Sequence, residues 1–283
     1  MGNLHILKIG GGAGIDPAQT LANVAARAQQ GERWIVVHGA SDAANTLSEQ
    51  AGIPPQMITT PGGHSSRYTN PRTLEIYCAA AGLVNTRVTA ALNHFGVPAA
   101  GLSGVSVLRA ERKAAIRGLV NGRQVLIRDD FSGTLRPLHD GAVQTLQSLL
   151  QAGVIPVISP VALGSDGERL NVDGDLVAAL IAGGMRADTL VILSNVPGLL
   201  REIDAPESLI TQFSAGELPR YADFAQGRMK KKLIAAERAL DAGVDRIILA
   251  DARIEMPLDA AFAGAGTHIT RSGQPLAPAN IAV

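Results

Sequence analysis

Short, mostly apolar runs alternate along this chain with longer stretches in which apolar residues recur every three to four positions. The runs cover residues 6–9, 34–38, 154–159, 190–193 and 247–250. They have the length of buried strands and are too short for buried helices. Helical periodicity covers 17–30, 42–50, 73–95 and 230–242, and another helix opens at Leu176. Strand and helix in alternation predict a parallel sheet with crossover helices. Strands that are apolar on both faces are those covered on both sides. Residues 117–128 depart from this rhythm, because Asn121-Gly122 separates two alternating runs, a strong hairpin signal. The last twelve residues, 272–283, are rich in Pro, Ala and Gly and read as a loose tail.

Composition narrows this picture without changing it. The chain has 283 residues, 46% hydrophobic and 18% charged, which excludes a disordered or coiled-coil protein. Basic and acidic residues balance at 25 each, so no global field favours nucleic acid or a membrane surface. No apolar stretch reaches the roughly twenty residues of a membrane span, and no leader pattern opens the chain. The single cysteine, Cys78, excludes an internal disulfide and makes a reducing cytoplasm the expected compartment. Its apolar helical setting reads as core.

Candidate chemistry gathers where the strands end. Lys8 lies inside the first run, and Gly10, Gly11 and Gly12 follow at once. Consecutive N–H groups in such a turn cradle anionic oxygens, and a lysine beside them suits a transferring phosphoryl group. A strand ending in glycines is as often a plain turn, and neither Walker A nor Gly-x-Gly-x-x-Gly spacing is present. The second run ends in His38-Gly39-Ala40-Ser41-Asp42, a helix N-terminus able to hold an anion or simply an N-cap. Arg67 follows the glycine-rich segment around Gly63 and is either a bidentate carboxylate clamp or a surface arginine. Alternation puts Asn171, Asp173 and Asp175 on one side of an extended segment, able to hold Mg²⁺ or orient lysines. The calcium-loop pattern is not met. Arg228, Lys230, Lys231 and Lys232 crowd a helix N-terminus, where positive charge opposes the dipole and points to a bound anion. Asn195 to Gly198 follow a buried strand, where open α/β sheets hold nucleotides.

In order, Lys8 with its glycines, His38-Gly39, Gly63 and Arg67, Asn171 to Asp175, Asn195 to Gly198 and Gly227-x-Met229-x-x-Lys232 resemble the amino acid kinase superfamily. Within it the chain is similar to the acetylglutamate kinase family, from about residue 4 to 271. Ser65-Ser66-Arg67-Tyr68-Thr69, Thr73-Leu74-Glu75-Ile76 and Ala225-Gln226-Gly227-Arg228-Met229-Lys230 resemble the branch acting on α-aminoadipate attached to an amino-group carrier protein of the LysW type. The resemblance implies a three-layer αβα sandwich around a mostly parallel open sheet. Residues 1–170 would form the lobe for the acyl acceptor and 171–271 the nucleotide lobe. It further implies phosphoryl transfer from ATP, accompanied by Mg²⁺, to a side-chain carboxylate, with no metal site of the protein's own. Lys8 and Lys232 would be catalytic and oriented by Asp175. Gly39, Ala40, Ser41, Gly63, Arg67 and Asn171 would bind the acceptor, and Gly11, Gly12, Asn195, Gly198, Met229 and Lys230 the nucleotide. Two departures stand out. Ala40 occupies an expected glycine position, strained if its φ must be positive; Asp173 stands where acetylglutamate kinases commonly have Asn.

The carrier implied by the resemblance is small and acidic, and calls for a basic surface near the site. Arg109, Arg112, Lys113, Arg117, Arg123 and Arg128 face only Glu111 in residues 109–128, which makes that segment either the docking surface or a solvated element. The same resemblance makes 73–95 the expected helix of a homodimer. Two alternatives remain open from sequence: an N-acetylglutamate kinase using a free acceptor, and a catalytically silent amino-acid-sensing relative.

Overall fold

The structure is a computed structural model that describes residues 2–59, 65–120 and 123–271. Gly63, the Asn121-Gly122 turn, the side chain of Arg123 and the 272–283 tail lie outside the described residues. The chain opens with β1 (Leu4–Ile9), α1 (Ala18–Gln29), β2 (Arg33–His38) and α2 (Ser41–Gln50). There follow β3 (Met57–Thr59), β4 (Ser65–Arg67), α3 (Pro71–His94), β5 (Ala99–Leu102) and β6 (Ala110–Arg112). Next come β7 (Ile116–Val120), β8 (Arg123–Ile127), β9 (Gly133–Leu135), α4 (Asp140–Gln151), β10 (Ile155–Ile158), β11 (Val161–Leu163) and β12 (Arg169–Asn171). The remainder is α5 (Gly174–Gly184), β13 (Thr189–Ser194), β14 (Gln212–Ser214), α6 (Leu218–Tyr221), α7 (Arg228–Asp241), β15 (Arg246–Asp251), α8 (Pro257–Phe262) and β16 (Thr267–Thr270).

The main sheet has eight strands in the order β14-β16-β15-β13-β1-β2-β10-β5, and only the β15–β16 pairing in it is antiparallel. Alternation along each strand divides the core in two. Leu7, Ile9, Val36, Val191 and Ile248 meet Leu21 of α1, Leu92 of α3 and Leu258 of α8 on one face. Ile6, Ile35, Ile192 and Leu249 meet Leu146 of α4, Ala178 of α5 and Ala236 of α7 on the other. The result is an α/β fold of three layers, αβα, as expected.

Strand β1 is the pivot. The chain passes from it to β2 on one side and, much later, to β13 on the other, which makes a topological switch point at the carboxyl ends of these strands. The turns after β1, β2 and β13 all open there.

Two expectations need correction. Helix α3 starts at Pro71 rather than Thr73, because Asn70 caps it by accepting from the Thr73 N–H at 2.9 Å. Asn171, Asp173 and Asp175 do not share an extended segment: Asn171 ends β12, Asp173 caps α5 and Asp175 lies in its first turn. The hairpin expected at 117–128 is present as β7 and β8, but the basic residues 109–112 before it lie in a different sheet. Strand β6 pairs with β9, while β7 and β8 pair with each other and join β3 and β4 in a separate sheet.

Candidate active site

Three buried charges meet beneath the switch point. Lys8 points from β1 toward α5, and its Nζ lies 2.7 Å from Asp175 Oδ1. Lys232 reaches Asp175 Oδ2 from the start of the second turn of α7 at 2.9 Å. All three residues are at most 7% exposed. Burial disfavours the Asp175 carboxylate, yet the two ammonium groups outweigh that and hold its pKa well below the usual range. Burial and the like charge of Lys8 pull Lys232 down, with Asp175 opposing. Two ammonium groups on one carboxylate leave a surplus positive charge next to the cleft.

A cleft of about 840 Å³ opens over this array. Lys8, Gly11, Gly12, Gly39, Ala40, Ser41, Arg67, Asn171, Asp175, Asn195, Gly198, Met229 and Lys232 all line it, so most of the expected positions converge. Lys230 does not: it is exposed on the α7 surface and is absent from the lining, because helical rotation turns it away from its neighbours. Gly11 and Gly39 form the floor by close approach. A Cβ on Gly11 would lie 2.3 Å from the Gly39 carbonyl carbon, which no side chain permits. Ala40 has φ −134°, so the strain anticipated for an alanine here does not arise.

On one wall, the Nη2 of Arg67 donates to the Ser41 carbonyl at 3.1 Å and to Asn45 Oδ1. Among the described residues its buried Nη1 has no partner, a donor left over for an anion. Burial lowers its pKa, and Arg228 across the cleft adds to that. Asn171 Nδ2 is held by Thr69 Oγ1 at 3.1 Å. On the other wall, Thr267 Oγ1 accepts from the Leu199 N–H at 2.8 Å and fixes the turn after β13. Gly198, at φ +152°, passes so near that a Cβ would lie 2.6 Å from the same hydroxyl. Helix α7 starts without a side-chain cap and without an acidic residue in its first turn.

His38 is structural. It is 1% exposed, its Nε2 lies 3.1 Å from Asn85 Nδ2, and its Nδ1 lies 3.3 Å from the Gly39 carbonyl. Burial pushes its pKa down to about 4.

Part of the basic run is spent inward. Arg109 donates to the carbonyls of Val105 and Leu108, and Arg112 to those of Asp130 and Arg128 while stacking 3.7 Å over Phe131. Glu111 pairs with Arg136. Lys113, Arg117 and Arg128 stay exposed, and Lys113 lines the cleft. Among the described residues, no three His, Cys, Asp or Glu side chains gather as a metal site. No described helix is long and apolar enough to cross a membrane.

Sequence reading missed Asn45 and Tyr77 as cleft residues. Lys231 was visible as one of a basic run, but only the fold shows that it faces Asp173. Asn45 and Tyr77 carried no local signal, since each looks like an ordinary helical position.

A strand-borne lysine, a helix-borne aspartate and a second helix-borne lysine thus meet at the switch point of an α/β fold, beneath its cleft. The chain belongs to the amino acid kinase family, whose model matches residues 3–251. Membership of a kinase family implies the use of ATP. The chain is 40% identical to the [LysW]-aminoadipate kinase of Deinococcus radiodurans over 95% of its length and 92% of that protein. It is 39% identical to the [LysW]-aminoadipate kinase of Thermus thermophilus, over 93% and 99% of the two chains. Among solved structures, carbamate kinase from Giardia lamblia bound to AMP-PNP aligns with a TM-score of 0.68 at 15% identity, covering 95% of this chain and 99% of that one. At that identity the likeness concerns the fold alone.

Proposed function

We propose that this protein transfers the γ-phosphoryl group of ATP to the side-chain carboxylate of α-aminoadipate held through its amino group on a small acidic carrier protein of the LysW type. The observation that carries the reading is the buried Lys8–Asp175–Lys232 array under the cleft, with the spare Nη1 of Arg67 on its wall. The 40% identity to a protein of that activity over nearly the whole chain supports the acceptor assignment.

Two anions must meet for this reaction, so cations dominate its catalysis. An acceptor carboxylate oxygen forms the new bond to phosphorus as the bond to the ADP oxygen breaks. No proton moves, and no general base is required. Lys8 meets the developing charge from the acceptor side and Lys232 from the nucleotide side. Asp175 keeps both ammonium groups in place. Arg67 clamps the α-carboxylate, Asn171 faces the blocked nitrogen, and the N–H groups of Ala40 and Ser41 line the acceptor's path, while the Gly39 N–H donates to the Ile9 carbonyl and Gly39 contributes its backbone shape. Gly11, Gly12, Asn195, Gly198 and Met229 border the nucleotide; Lys230 has no part in this reading. Mg²⁺ would enter with the nucleotide and neutralise phosphate charge, held chiefly by the phosphates because Asp173 and Asp175 already bond lysines.

In this reading residues 1–170 receive the acceptor and 171–271 the nucleotide. Lys113, Arg117 and Arg128 form the reduced basic face that meets the carrier. The exposed face of α3, with Ala79, Gly82, Leu83 and Thr86, forms a homodimer contact.

The test is ATP turnover with carrier-linked aminoadipate, N-acetyl-aminoadipate and N-acetylglutamate. Strong preference for the carrier-linked acceptor is expected. Equal or better use of free N-acetylglutamate would move the protein to the alternative acceptor, and absence of turnover with all three would remove the enzymatic reading.

A further inference from the structure

Beside the buried array lies a second ion pair that the mechanism above leaves unused. Lys231 Nζ is 3.1 Å from Asp173 Oδ2, and both side chains are partly buried at the cleft wall. Asp173 is also the N-cap of α5: its Oδ1 accepts from the N–H of Asp175 at 2.9 Å and of Leu176 at 3.3 Å. One carboxylate therefore fixes the first turn of α5 and, through its other oxygen, the first turn of α7.

Geometry gives this pair a specific task. Consecutive lysines on α7 reach two carboxylates that are two residues apart on α5: Lys231 to Asp173, Lys232 to Asp175. A single ion pair between two helices is a pivot, about which α7 can turn on its own axis. Two pairs set the rotation. The start of α7 lacks a side-chain cap and follows Gly227, at φ +52° and with open space around its α-carbon, so apart from the packing of Met229 and Leu233 on the core these ion pairs are what hold its rotation. Gly174, between the two aspartates, lies close to Lys8, where a Cβ would be 3.5 Å from Lys8 Cε. Any shift of the α5 start is thus felt by Lys8 as well as by Lys232.

We infer that Asp173 and Lys231 are positioning residues that lock the starts of α5 and α7 in register, so that Lys8 and Lys232 share Asp175 in the reactive arrangement. The inference rests on the phosphoryl-transfer reading of that array. It assigns Lys231 to the protein rather than to the nucleotide, although its ammonium group borders the cleft.

Lys231→Met, Asp173→Asn and the double variant test it, with Lys231→Arg as the conservative control, in the turnover assay where the unaltered protein is active. Asparagine keeps the N-cap while removing the charge, so α5 remains capped. The expected result is a fall in kcat of about tenfold or more for each single variant, as small misplacements of catalytic groups produce. KM for ATP and for the acceptor should stay within about twofold. The double variant should be no worse than the singles, and Lys231→Arg should retain most of kcat. A rise in KM for ATP confined to Lys231→Met, additive with Asp173→Asn, would instead make Lys231 a nucleotide ligand and overturn the inference. So would unchanged kcat in variants that lose only thermal stability. If the unaltered protein shows no turnover, the kinase reading fails first and separately.

Discussion

A lysine in the middle of a buried parallel sheet is tolerable only because a carboxylate reaches it. Lys8 and Lys232 share Asp175, and the three charges are separable by substitution. Lys8→Ala still leaves Asp175 paired to Lys232, so the fold should persist while kcat falls about 100-fold or more, measured as initial ATP turnover. Asp175→Ala strands two buried ammonium groups and should cost about 3–5 kcal/mol in urea unfolding, besides abolishing activity. Arg67→Lys keeps the charge but loses the fork that holds Asn45 while leaving Nη1 free. It should raise KM for the acceptor about tenfold with a smaller change in kcat. Residue chemistry at the strand and helix ends marked Lys8, the 171–175 acidic segment and the 228–232 basic cluster, and the family resemblance picked Lys8, Asp175 and Lys232 out of them. Asn45 and Tyr77 could not, because polar and aromatic residues on a helix declare their direction only after packing.

Elements decide how those side chains meet. The close approach of the turns after β1 and β2 is set by Gly11 and Gly39, and Gly11→Ala would force them apart. It should destabilise the protein by about 1–3 kcal/mol and lower turnover, checked by thermal unfolding alongside the assay. The long runs of the central strands and the periodicity of the longer helices were legible, since burial on both faces or on one stripe imprints directly on composition. Short strands such as β3, β4, β6, β9, β11 and β12 were not. Three-residue strands carry too little pattern, and their pairing is imposed by neighbours. The same limit explains the basic run: spacing revealed six cations, but only pairing of β6 with β9 turned Arg109 and Arg112 inward.

Over the whole molecule, buried histidines tie stability to pH. His5, His38 and His268 are each pushed down to about 4, mainly by burial, and Arg27 and Arg246 also lower His5. The unfolded chain, with ordinary histidines near 6.5, binds more protons between those values. Stability is therefore fully present above about pH 6.5 and is lost as pH falls toward 4. The only tryptophan, Trp34, is fully buried and reports the transition, so urea midpoints followed by its fluorescence should fall from pH 7 to pH 4.5. A flat midpoint across that range would show that these histidines are not buried neutral. What the sequence alone determined is the α/β alternation, the glycine turns at the strand ends and the candidate charges gathered there. Each of these is written locally, in periodicity or in residue chemistry. What only tertiary structure decided is that β1 lies between β2 and β13, that α5 and α7 bring their first turns together, and that Lys231 meets Asp173 while Lys230 faces away. Those contacts join residues dozens of positions apart, and strand order and helix rotation, which fix them, depend on the packing of the whole core.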